Sequence, residues 1–340
     1  MSLAGALESA FEPASAAVAA GSIPGAVLGV FTEHGKSAVR WAGHAMLTPE
    51  RQSMSRATIF DLASLTKVIV TLTEIMRLVE AGKLDLDDPL SLALPDLHQY
   101  VPAAPVRGLT IRQCLTHQAG LPAVEPIYTW GSDAATLKTL VLQHDWPLGE
   151  HVYSDIGFIL LGLVIERFTE KPLASLTLSK GLTFAPDPKQ TAATENCQWR
   201  GRVMRGEVHD ENAYALGGVA GHSGLFGTID GVLGFAHALT SGKVLTQASL
   251  DEMLRPQSPT RGLAWQRRHA GWSGGGLCSA ATLGHTGFTG TGLWIDFERG
   301  YAWALLTNRV HPSRHVETGI QSLRRAVGNR LAAAWPFSER

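Results

Sequence analysis

The stretch Phe60-Asp61-Leu62-Ala63-Ser64-Leu65-Thr66-Lys67 runs directly into apolar residues at helical spacing. Leu65, Val68, Ile69, Leu72, Ile75, Met76 and Val79 recur three or four apart, and Gly82 stands where such a helix would stop. Ser64 and Lys67 then share one face of the first turn. A serine hydroxyl is a poor nucleophile until a neighbour takes its proton, and a lysine one turn away is within reach. The same turn carries unpaired N–H groups and the positive end of the helix dipole. Together with desolvation these favour a neutral Lys67 and can stabilise an oxyanion. The remainder of the chain reads as what holds, covers and feeds this turn.

Elements on either side follow from periodicity and turn chemistry. Ser2 to Ala20 reads as an amphipathic helix that Pro13 should kink or divide. Gly25 to Phe31 and Ser37 to Gly43, around the turn Glu33-His34-Gly35-Lys36, read as a β-hairpin. Thr110 caps a short helix, Ala134 to Gln143 is helical, and Ile156 to Phe168 is a strongly apolar helix. Ala185 to Asn212 is polar, with little periodicity, and reads as a long surface excursion. Gly217 to Gly227 is dense in glycine, so the backbone there bends sharply or is closely approached. Thr228 to Leu239 returns to helix, Thr291 to Asp296 and Tyr301 to Asn308 read as strands, and a last helix places Ile320, Leu323, Val327 and Leu331 on one side. Strands from both chain ends can join one antiparallel sheet flanked by the N- and C-terminal helices. The result is an α+β fold with an inserted all-helical region. The expected division is a discontinuous sheet domain, residues 1–82 and 213–340, and a mainly helical domain, residues 83–212, with the active site in the cleft between them.

Composition excludes several functions. A net charge of -1 argues against nucleic acid or an anionic membrane as partner. No run approaches a membrane span, and no basic segment precedes the alanine-rich start, so the expected location is cytoplasmic. Cys114, Cys197 and Cys278 lie far apart and read as buried free thiols, not as a disulfide framework. The histidines show no ligand spacing, so neither a metal nor a cofactor is expected. His117 reads as a structural cap.

Alone, S-x-x-K is a weak motif, with about one chance match in a chain of this length. Three later features add to it: Tyr153-Ser154-Asp155 before an apolar helix, His285-Thr286-Gly287 at the start of a strand, and the glycine-rich stretch around His222. Together with Leu109 to Pro122 (LTIRQCLTHQAGLP), these pieces resemble, in order and spacing, the serine β-lactamase and penicillin-binding-protein superfamily, in particular its class C-like branch of esterases and peptidases. The resemblance runs from about Gly25 to about Pro312. It implies a β-lactamase/DD-peptidase-like fold, acylation of Ser64, Lys67 keeping the hydroxyl poised, and Tyr153 as partner base. It further implies an oxyanion hole from the backbone N–H groups of Ser64 and Phe288, and substrate contacts from Asp155, His222, His285, Thr286 and Gly287. Val208 to Phe226 and Gly284 to Pro312 are similar to a sub-branch that includes a weak DD-peptidase and an exo-acting muramyl-amidase.

Two positions depart from the family pattern. Asp155 replaces an asparagine, which adds negative charge and tends to raise the Lys67 pKa. His285 replaces a lysine, which removes a permanent cation for a substrate carboxylate and moves the expectation away from β-lactams. The leading expectation is carboxylesterase-like hydrolysis of small esters or amides through an acyl-enzyme. The expected partner is a small-molecule ester, amide or peptide substrate, and the alternatives are a peptidoglycan-fragment amidase or D-peptidase, a weak β-lactamase, and a catalytically silent relative that binds an acyl or peptide ligand without turnover.

Overall fold

The computed structural model of the chain describes residues 1–337. Helix α1 (Leu3–Ala19) is capped by Ser2, whose hydroxyl accepts the Gly5 amide. Pro13 does not divide the helix, which runs unbroken through it. Proline leaves the carbonyl four residues earlier without its donor, and Arg330 fills that place by donating to the Ser9 carbonyl at 2.7 Å.

Strands β1 (Gly25–Thr32) and β2 (Ser37–Met46) form the expected hairpin, followed by β3 (Gln52–Ser53) and β4 (Phe60–Asp61). A π-helical segment, Lys67–Thr71, leads into α2 (Leu72–Glu80), α3 (Leu90–Ala93), α4 (Ile111–Leu115), α5 (Ala134–Gln143) and α6 (Asp155–Thr169). Next come β5 (Leu182–Thr183), β6 (Asn196–Cys197), β7 (Arg202–Val203), α7 (Glu211–Ala215) and β8 (Phe226–Gly227). Helices α8 (Ile229–Thr240) and α9 (Gln247–Leu254) precede β9 (Gln266–Arg267), β10 (Thr282–Thr286), β11 (Gly292–Asp296), β12 (Tyr301–Thr307) and α10 (Ile320–Ala334).

The main sheet has seven antiparallel strands among the described residues, in the order β3-β2-β1-β12-β11-β10-β9. The two chain ends meet at its centre, where β1 pairs with β12 from Ala26 opposite Thr307 to Thr32 opposite Tyr301. Successive β1 residues face opposite sides. Leu28 and Val30 pack with Leu7 and Phe11 of α1 and Val327 and Leu331 of α10, whereas Val27 and Phe31 share a cluster with Ile229 and Leu233 of α8. Helices cover both faces, so the central strands are buried throughout and lack a polar side. Each such side chain contributes ~1.5–3 kcal/mol on burial. Gly29 faces α8, and a Cβ there would lie 2.7 Å from both Ile229 and Leu233. The missing side chain is what lets α8 lie against the sheet.

Helix α6 is buried along Ile156 to Ile165 and contacts α2, α4, α5 and the π-helical segment, as an all-apolar helix must. The glycine-rich stretch threads against it: a Cβ on Gly221 would stand 2.0 Å from the Phe158 carbonyl. The segment read as a surface excursion is only partly that. Thr191 to Glu195 are buried, and the amides of Ala192 and Ala193 donate at 2.8 Å to the carbonyls of Ile59 and Ala45. All three cysteines are buried and unpaired. No helix among the described residues is long and apolar enough to cross a membrane.

Candidate active site

Ser64 stands on an elbow. The buried Asp61 carboxylate accepts the amides of Ala63 at 2.8 Å and His209 at 2.7 Å. Burial outweighs these amides and raises its pKa. Ala63 is held at φ 47°, a left-handed conformation that costs energy for any residue with a Cβ. From the turn between β10 and β11, Thr289 and Thr291 donate their hydroxyls to the carbonyls of Asp61 and Leu62 at 2.7 and 3.1 Å.

The helix that follows is not a regular α-helix from its first turn. Over Lys67–Thr71 it is π-helical, and the Leu72 amide reaches back to the Lys67 carbonyl. Such widened turns recur at functional sites. A tertiary contact pins this one, since the Thr71 hydroxyl donates to the Gly221 carbonyl at 2.5 Å.

Lys67 is fully buried. Its ammonium donates to Ser64 Oγ at 2.9 Å and to the His222 carbonyl at 3.3 Å, and stands 2.7 Å from Asp155 Oδ1. Burial alone would lower the lysine pKa, but Asp155 and then Tyr153 outweigh it and hold the group above its ordinary value. The neutral lysine expected from desolvation and the helix dipole is therefore replaced by a charged one. The Asp155 carboxylate is the larger of the two causes that oppose burial.

Asp155 opens α6, and Ser154 caps that helix by accepting the Gly157 amide at 3.3 Å. The Ser154 amide donates to His117 Nδ1 at 3.0 Å, and its hydroxyl donates to the Pro122 carbonyl at 2.6 Å. His117 thus does more than cap a loop. It fixes the Tyr153-Ser154-Asp155 backbone, and its ring lies 4.4 Å from that of Tyr153. Burial, reinforced by Arg261 and Lys67, pushes His117 well below the usual histidine range, so Nδ1 is free to accept.

The facing wall is β10 and the residues after it. A Cβ on Gly287 would lie 2.2 Å from Thr291 Oγ1 and 2.5 Å from the Leu62 carbonyl, so only glycine lets this strand end reach the Ser64 elbow. His285 is buried, with Nδ1 3.1 Å from the Thr286 carbonyl. Burial, then Lys67 and Arg261, hold it neutral, well below its ordinary pKa. The amides of Ser64 and Phe288 have no backbone acceptor among the described residues, and both residues line the cleft.

This cleft has a volume of about 640 Å³ and is also lined by Tyr153, Asp155, His285, Thr286 and Gly287. His222, expected to face the cleft, is instead buried beneath it. Its Nε2 lies 2.8 Å from Asp210 Oδ1. Burial opposes ionisation of Asp210, but His222, the Ala213 amide and Lys67 outweigh it and hold the carboxyl below its usual range. Ligand atoms of Asp155, Asp210 and His222 lie within 4.8 Å of one another, close enough to hold a cation. The Lys67 ammonium supplies a positive charge there.

Residue patterns gave no signal for Arg261, which lies in the loop between α9 and β9. It lines the cleft, its guanidinium 5.3 Å from the Tyr153 ring centroid, with no carboxylate paired to it among the described residues. A cation is thus present in the cleft although His285 is not one. Asp61 and Asp210 gave no signal either, because beside their local amide partners each meets a group that folding brings in, the His209 amide and the His222 ring.

Residues 9–327 match the family described as Beta-lactamase. The chain is 33% identical to the N-acetylmuramyl-L-alanine amidase of Bacillus subtilis (strain 168), over 76% of this chain and 69% of that protein. It is also 33% identical to a putative D-alanyl-D-alanine carboxypeptidase of Salmonella agona (strain SL483), over 75% of this chain and 70% of that one. Among solved structures it resembles EstCE1, a hydrolase with promiscuous acyltransferase activity. The TM-score is 0.71 at 24% identity, covering 95% of this chain and 99% of that one. With the Ser64 elbow, the buried lysine and the facing β10 wall in one cleft, the chain belongs to the beta-lactamase family of serine hydrolases.

Proposed function

We propose that this protein hydrolyses small amides and esters through an acyl-enzyme on Ser64. One observation carries the reading: Ser64 Oγ is bonded to a buried Lys67 whose charge is fixed by Asp155, at the floor of a cleft that Tyr153 overhangs. In this scheme charged Lys67 orients the hydroxyl and favours the phenolate form of the adjacent Tyr153, which takes the serine proton as Oγ attacks the substrate carbonyl. The carbonyl oxygen, now negative, is received by the amides of Ser64 and Phe288. Tyr153 returns the proton to the departing amine or alcohol. It then takes one from the water that attacks the acyl-serine, and Ser64 regains its proton as the acid leaves.

Amides stand beside esters here because of the curated relatives, named as an amidase and a carboxypeptidase. Arg261 favours substrates bearing a carboxylate, which the replacement at His285 taken alone argued against. The test is intact mass after exposure to a fluorophosphonate, together with turnover of p-nitrophenyl acetate. The wild type should gain one adduct, and Ser64→Ala should gain none and lose turnover by at least a thousandfold, ~4 kcal/mol of barrier. An adduct of equal extent in the variant would refute the assignment of Ser64.

A further inference from the structure

Beside the catalytic cleft the surface carries aromatic rings that the hydrolytic scheme leaves unused. Tyr128, Trp199 and Tyr214 come from three separate segments and converge, with ring centroids 4.9 Å apart for Tyr128 and Trp199 and 6.1 Å apart for Trp199 and Tyr214. Trp199, at the tip of the β6–β7 hairpin, is 53% exposed. An indole left that open forgoes the burial that usually stabilises it, so the exposure calls for a reason.

One guanidinium joins the platform to the chain beneath it. Arg200 lies 4.1 Å from the Tyr214 ring centroid and 5.3 Å from that of Trp199. The same guanidinium donates to the carbonyls of Val208 at 2.7 Å and of His209 and Asp210 at 3.3 Å. Those residues lead into the Asp210–His222 pair beneath Ser64, which ties the platform to the floor of the cleft.

Next to Trp199 a cavity of about 250 Å³ is lined by polar groups, among them Asn196, Gln198, Ser313 and His315. It shares Glu211 and Arg314 with the catalytic cleft, so the two adjoin. Its acids are already compensated: Arg314 pairs with Glu195 at 2.5 Å and Glu211 at 2.6 Å, and Glu195 also meets His209 at 3.1 Å. A groove with an exposed indole on one side, many hydrogen-bonding groups and both carboxylates held by Arg314 suits a ligand with one apolar face and a rim of hydroxyls. It suits an ion or a purely apolar chain less well.

We infer that this groove is a glycosyl subsite, which seats a neutral hexopyranose ring against Trp199 while the scissile amide or ester lies at Ser64. The inference rests on the proposed acyl-enzyme reading and extends it to substrates that carry a sugar.

The experiment compares kcat/KM for N-acetylmuramyl-L-alanine and for p-nitrophenyl acetate in wild type, Trp199→Ala and Trp199→Phe. Tyr100→Ala, an exposed aromatic outside both cavities, is the control. The ratio of sugar substrate to ester should fall at least tenfold in Trp199→Ala, stay within threefold in Trp199→Phe, and not move in Tyr100→Ala. In parallel, Ser64→Ala is titrated calorimetrically with N-acetylglucosamine, and heat of binding should disappear when Trp199→Ala is added. An unchanged ratio, or equal binding with and without Trp199, overturns the subsite, as does ester turnover with none of the muramyl amide. Absence of any fluorophosphonate adduct sinks the hydrolase reading instead, whatever the titration reads.

Discussion

Lys67 shows how neighbouring side chains set the state of a buried amine. Burial pulls its pKa down, and Asp155 at 2.7 Å, with Tyr153, pulls it above the ordinary value. Replacing Asp155 with Asn removes the charge that outweighs burial, so the lysine deprotonates at lower pH. Charged Lys67 is the form that donates to Ser64. The alkaline limb of kcat/KM for p-nitrophenyl acetate should therefore move to lower pH in Asp155→Asn, while the rate at neutral pH stays within about tenfold, ~1.4 kcal/mol. A limb that stays in place would separate Asp155 from control of the lysine. Ser64 and Lys67 were legible as neighbours because three residues along a helix bring side chains together whatever surrounds them. The upward pull of Asp155 on the lysine was legible from the motif resemblance, but that it outweighs burial was not, because that balance depends on distances set only when α6 packs against the turn.

At the scale of elements, helix starts and caps were the readable part. Thr110 forms a full capping box with Gln113, Ala134–Gln143 is helical as expected, and Thr228 caps α8. These depend on local hydrogen bonds. Where an element departs from its local pattern, a distant side chain is responsible. The π-helical turn is tied by Thr71 to Gly221, and α1 passes Pro13 because Arg330 serves the Ser9 carbonyl. Arg330→Ala should then lower stability by about 0.5–1.5 kcal/mol in urea unfolding. In a Pro13→Ala background the same change should cost less, because the introduced alanine supplies its own amide to the Ser9 carbonyl. Equal costs in the two backgrounds would rule out this account of the proline. The Glu12–Arg330 pair is on the surface and adds little in either case.

For the whole molecule, burying His117 and His285 around the cleft makes stability depend on pH. Both are held neutral, with folded pKa values well below the ordinary one, chiefly by burial. Below about pH 6.5 the unfolded chain takes up protons at these positions that the folded chain refuses, so stability falls as pH falls. The urea midpoint should drop between pH 7.5 and 5.5, and His285→Gln should drop less over the same interval. A midpoint that is flat across this window would contradict the burial of neutral imidazoles. Glu195 lies outside the window. Against burial, His209 and Arg314 hold it at about 2, so its contribution is lost only at more acidic pH.

Sequence by itself determined the elements, the antiparallel sheet drawn from both chain ends, and the pieces of the cleft: the Ser64-to-Lys67 turn, the Tyr153-to-Asp155 helix start and the His285-to-Gly287 strand end. Periodicity, capping and the order of motifs are local or one-dimensional, so they survive without coordinates. Tertiary structure alone decided that the pull of Asp155 outweighs the burial of Lys67, that His222 lies under the cleft, that Arg261 brings a cation into it, and that Trp199 lines the cavity adjoining it. Each of these depends on distances between segments far apart in the chain. Burial and Coulomb energy are fixed only once those distances are.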